Sequence, residues 1–115
     1  MTWIAEEPIT FVYPDGRRVD GRIAIGLPTK VDDYEYRCEL GVEPLDPKVR
    51  GYSGAGKLQA LVFALQIAGT LIDAFIKQGG RLVRPGTDEP DEPDDELDIE
   101  TILGPLLAPP RPREK

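Results

Sequence analysis

The chain of 115 residues contains no histidine, and Cys38 is its single cysteine. The first absence removes the imidazole that most often moves protons in catalysis near neutral pH. The second excludes an intramolecular disulfide, and together they deny a structural zinc ion its ligands. A lone thiol fits a reducing compartment. A basic-then-apolar leader is also missing, since MTWIAEEPIT carries Glu6 and Glu7 where a secretory signal would carry lysine or arginine. The expectation is a cytoplasmic protein.

Positive charge is absent from residues 86–110, which hold nine acids. Residues 1–85 balance eleven Lys/Arg against eleven Asp/Glu, and residues 111–115 carry a net +2. The net charge of −7 therefore belongs to the tail and not to the body. Such a chain lacks the positive surface that nucleic acid requires and favours a basic protein as partner.

The most informative stretch is 57–78, KLQALVFALQIAGTLIDAFIKQ. At about 3.6 residues per turn its polar residues Gln59, Gln66, Thr70, Asp73 and Lys77 fall on one narrow stripe. The rest of the cylinder is apolar, so this helix is expected to be central and covered on nearly three sides. Its core face is expected at Leu61, Leu65, Ala68, Ile72 and Phe75. Burial of Leu65 in a tight core implies that Leu65→Ala costs about 2–5 kcal/mol. Gln66, Thr70 and Asp73 interrupt the apolar run and Lys57 and Lys77 bracket it, which argues against a membrane span.

Before the helix, Ile9, Phe11 and Tyr13 alternate with Thr10 and Val12, and Trp3 opens the run. This predicts a strand over 3–13, with Pro8 at an edge or near its start. Pro14-Asp15-Gly16-Arg17 predicts a tight turn, and residues 18–27 the returning strand. Leu27–Asp33 reads as a loop. Residues 34–42 alternate again, which places Cys38 on an apolar face as an inert core thiol. Residues 43–56, with two prolines and three glycines, read as irregular. Gly79-Gly80 ends the helix, and 81–84 could return to the sheet.

From Gly86 an acidic, proline-rich linker runs to residue 98 and cannot bury a core. Ile99, Ile102, Leu103, Leu106 and Leu107 follow near helical spacing, as a short apolar anchor over 99–107. Residues 108–115 read as a frayed end.

Gly51-Tyr-Ser-Gly-Ala-Gly56-Lys57 matches the G-x-x-x-x-G-K of a phosphate-cradling loop. Leu58 stands where such a loop needs Ser or Thr for magnesium, and the chain is short for the parallel sheet behind it. A glycine-rich entry to a buried helix is the plainer reading. The carboxylate pairs Glu6-Glu7 and Asp32-Asp33 sit in segments that read as solvated, so no catalytic residue, metal site or cofactor is expected.

Tyr36-Arg37-Cys38, then Leu58-Gln59-Ala60-Leu61, the exit Gly79-Gly80-Arg81-Leu82 and the turn Asp15-Gly16-Arg17 carry a resemblance. Over roughly 4–85 the chain resembles a family of small uncharacterised bacterial α+β domains. It departs from that pattern at Gly54-Ala55-Gly56-Lys57, where the family tends to have an acid. The resemblance implies an α+β fold and no established activity, and the tail lies outside it.

The expected architecture is one α+β domain over 1–85. An antiparallel sheet of three or four strands packs on the long central helix, followed by the acidic linker and anchor helix. The expected function is a non-catalytic interaction module, such as a small acidic inhibitor or immunity-type protein bound to a basic partner. Its partner-binding residues would be Asp88, Glu89, Asp91, Glu92, Asp94, Asp95, Glu96, Asp98, Ile99, Ile102, Leu103, Leu106 and Leu107. The alternatives are a nucleotide-binding switch or enzyme using Gly51, Gly56 and Lys57, and a structural homodimer. No nucleic-acid or membrane partner is expected.

Overall fold

The structure, a computed structural model, describes residues 3–86, 96–98 and 102–103. Trp3–Val12 form β1 and Arg18–Gly26 form β2, paired antiparallel. The turn between them closes as its sequence dictates. Gly16 takes a φ of 90°, and the Asp15 carboxylate accepts from the Arg17 N–H at 2.9 Å. β3 (Thr29–Asp32), β4 (Glu35–Glu43) and β5 (Arg50–Gly54) follow, then α1 (Lys57–Lys77), β6 (Arg81–Val83) and β7 (Glu96–Leu97).

All pairings are antiparallel. β5 lies on one edge of β4, β3 and β2 share its other edge, and β1, β6 and β7 continue outward from β2. Ile25 faces Leu40 and Thr29 faces Arg37, so four steps along β2–β3 are matched by three along β4. That extra residue, around Leu27-Pro28, is a bulge. Two further register shifts fall at Trp3/Ala5 and Lys30/Asp32. Bulges bend strands and raise their twist, and the sheet is accordingly curled.

This overturns the expected fold of three or four strands on a central helix. The sheet is broader because β3 and β5 belong to it, and the sequence hides both. All four residues of β3 are exposed, and β5 carries two glycines in five residues. Both are held by ladder bonds to β4, not by strand propensity. β7 falls within the span read as linker and pairs with β6 at Leu82 and Val83.

The helix is not wrapped either. Its buried residues are Ala60, Ala64, Ala68, Gly69, Ile72 and Phe75, a stripe that is small at one end and large at the other. Leu61 and Leu65 are half-buried, while Leu58 is 76% exposed and Val62, Phe63 and Ile76 also reach solvent. By length and composition α1 could cross a membrane; in the structure it lays its alanine stripe on the sheet. The opposing core is Ile9, Phe11, Ile23, Ile25, Leu40, Val42 and Leu82. Phe75 anchors the far end, edge-on to Phe11 at 5.5 Å and to Tyr13 at 5.2 Å.

Cys38 is fully buried in this core, and its Sγ–H donates to the Gly26 carbonyl at 3.3 Å. Burial pushes the thiol pKa up, the Gly26 bond pulls against that, and the Glu39 charge adds to the rise. An acid whose folded pKa is raised stabilises the fold fully below its unfolded pKa, about 8.5 for a thiol. The contribution is lost as pH climbs from there through the folded value. Chemical unfolding midpoints should therefore fall above about pH 8.5, and less steeply in Cys38→Ala. Identical slopes in the two proteins would show that Cys38 plays no part.

Candidate functional site

α1 packs mainly on β4 and β5 and makes slighter contact with β2 and β6. The helix-side surface at the start of β1 and the end of β2 is thus left without a helix above it. Part of the cover comes from the C-terminal turn, where the Ile102 N–H donates to the Asp98 carbonyl at 3.2 Å. Ile102 and Leu103 pack against the core from there. Between this turn, α1 and the sheet lies a cavity of about 260 Å³, lined by Ala5, Glu6, Glu7, Ile23, Ile25, Leu65, Ile102 and Leu103. Pockets for drug-sized ligands start near 300 Å³, so this volume suits one or two side chains better.

Three consecutive residues of β1 line the cavity, although side chains along a strand alternate between faces. The cavity must then open onto the strand's backbone edge as well as its inner face. That edge is free among the described residues, because β6 pairs only with Thr10–Val12. The site is a groove with an apolar floor and two carboxylates at its rim.

The two acids differ. Glu6 faces outward, in register with Ala24, and is ion-paired to Arg22. Arg22 also reaches Glu43 at 3.4 Å and lies 5.1 Å from the centre of the Trp3 ring. Glu7 shares the inner face with Ile23, is exposed, and makes no ion pair among the described residues. It is a carboxylate at an apolar opening with no cation of its own among the described residues.

Of the residues expected to bind a partner, Ile102 and Leu103 form one wall of this groove. Glu96 sits in β7, and Asp98 is exposed at the start of the C-terminal turn. Asp88, Glu89, Asp91, Glu92, Asp94, Asp95, Ile99, Leu106 and Leu107 lie outside the described residues. Ala68, Ile72 and Phe75 are buried as core, whereas Leu65 lines the cavity. The sequence reading missed Ala5, Glu7, Ile23 and Ile25 as one site. The available signal was parity: Glu7 shares odd positions with Ile9 and Phe11 and so faces the core side of β1.

The glycine-rich motif has a packing explanation. Gly51 and Gly54 belong to β5, paired with Glu39 and Tyr36. A side chain on Gly54 would collide with the helix backbone at Ala60, whereas one on Gly51 would meet the far end of the Arg37 side chain, which can swing aside. Only Ala55 and Gly56 separate strand from helix, and the Gln59 side chain accepts from the Ala55 N–H. A phosphate-cradling loop needs a longer run of free amides. Among the described residues no cluster of His, Cys, Asp and Glu could hold a metal ion. Comparison of the chain with protein-family models, with curated proteins and with solved structures finds no match.

Proposed function

We propose that this protein is a non-catalytic interaction module that binds a basic partner protein, in the manner of a small acidic inhibitor or immunity-type protein. The observation that carries the reading is the apolar groove with Glu7 at its mouth, without an ion pair among the described residues. Apolar contact supplies residence time, and acidic residues of one sign steer a basic partner to the site. The nine acids of residues 86–110 have the same sign as the rim and extend the steering field.

Affinity capture from the native cell, followed by binding kinetics against salt, tests this. The expected partner is a basic protein whose association rate falls steeply with ionic strength. Replacing the acids of residues 86–110 by their amides should slow association about tenfold and leave dissociation nearly unchanged. A captured nucleic acid, or a partner indifferent to salt, would sink the reading. A homodimer through the exposed flank of α1 is a second reading, favoured by Leu58 at 76% exposure beside Val62. Sedimentation across a wide concentration range separates the two.

A further inference from the structure

We infer that the open edge of β1 is a docking lane for an extended segment of the partner, which joins the sheet as an added strand. The inference rests on the interaction reading above and names its mode and the chemistry of the segment. Pro8 lies in register with Arg22 of β2. Proline has no N–H to give a ladder, so within a paired strand its nitrogen must face away from the neighbour. Glu6, two residues earlier, has the same parity, which places its N–H and C=O on the edge away from β2. Thr10, two residues later, has that edge taken by Val83 of β6. Pro85-Gly86 then turns the chain just past β6. Opposite Glu6 and Pro8 the lane is empty among the described residues.

Strand addition draws its affinity from main-chain bonds and its specificity from pockets for alternate side chains. Here the lane borders the apolar cavity, which takes one buried side chain, and Glu7 projects on the same face. Alternate inward positions of the occupant are therefore an aliphatic residue for the cavity and a lysine or arginine for Glu7. Charge complementarity chooses a basic segment, because Glu7 has no cation among the described residues and Glu6 already holds Arg22.

The probe is a short fluorescent peptide of threonines alternating with leucine and lysine, titrated into the full chain. Two control peptides carry glutamate for lysine, or N-methylated amides at alternate positions. The lysine peptide should bind at least about tenfold more tightly than either control. Glu7→Lys should reverse the preference between lysine and glutamate, and Ala5→Phe, at an exposed position on the cavity wall, should weaken both. Equal binding of the N-methylated peptide overturns strand addition, and so does indifference to Glu7→Lys. Binding that appears only after deletion of residues 104–115 makes the chain's own C-terminus the occupant and overturns the partner assignment. Binding that only dissolves a dimer makes the occupant a second copy, with the same consequence. A native, salt-sensitive partner that ignores Glu7→Lys and Ala5→Phe leaves the interaction reading standing and removes the groove. Peptide binding as expected, with no basic native partner, does the reverse.

Discussion

Gly54→Val should lower stability by about 3 kcal/mol or more, while Gly56→Ser, two residues on, should leave it unchanged or raise it by a few tenths. A Cβ at Gly54 would lie 2.5 Å from the Ala60 nitrogen and 2.9 Å from the Gln59 carbonyl carbon. Both atoms are helix backbone and cannot swing aside, so the helix must lift from β5 or the strand must bend. Lifting it opens the seam where Ala60 and Ala64 lie fully buried. Gly56 is extended, with nothing within 4 Å of its Cβ position, and caps the helix without a side chain. Serine there can supply the missing cap. Domains of ordinary stability hold about 5–15 kcal/mol, so the Gly54 change consumes a large share. Urea denaturation of both variants checks it. Equal midpoints would mean that strand and helix are not in close approach, and that the glycine motif needs another explanation.

Removing residues 87–115 should cost about 2–4 kcal/mol, or expose enough apolar surface to make the protein self-associate. Leu97 is 7% exposed and pairs with Leu82, and Ile102 and Leu103 are half-buried on the core. Burying one leucine is worth about 1.5–3 kcal/mol, and the two partly buried residues add to it, less the entropy of ordering the segment. Leu97→Asp in the full chain isolates the first part and should reproduce most of the loss. Thermal unfolding with light scattering reads both outcomes. A truncated protein that remains an equally stable monomer would show that the C-terminal segment adds nothing to the core.

Much of the local structure was legible. The Pro14–Arg17 turn, the strands flanking it, the alternation around Cys38 and the helix from Lys57 all carry short-range signals, and the structure contains each of them. What was not legible depends on partners distant in sequence. β5 is a strand because β4 offers it a ladder, and a glycine-rich pentapeptide announces none of that. The helix misled for a related reason. Its apolar circumference suggested cover on nearly three sides, yet Ala60, Ala64 and Ala68 form the seam because small residues let the sheet approach, and larger ones such as Leu58 stay outside. The cost expected at Leu65 belongs instead to Ile72, which is fully buried, since Leu65 borders a cavity that already exists. The groove itself could be seen only in part. Parity puts Glu7 inward, but nothing in the sequence places Ile102 and Leu103 opposite it.

Trp3 is the only tryptophan, and it lies across the outer face of the sheet. Its ring edge is 3.6 Å from the Cβ position of Gly41 on β4, and the Arg22 guanidinium sits 5.1 Å from its centre. Both of these neighbours belong to the sheet. Its emission is therefore a private channel onto the first strand. Fraying at the N-terminus would free the indole to water and shift its light to the red while the far-ultraviolet signal of α1 stays constant. A segment seated along β1 would do the opposite, quieting the strand and holding the emission steady on heating. One native fluorophore thus reports on the groove from the far side of the sheet, without a label.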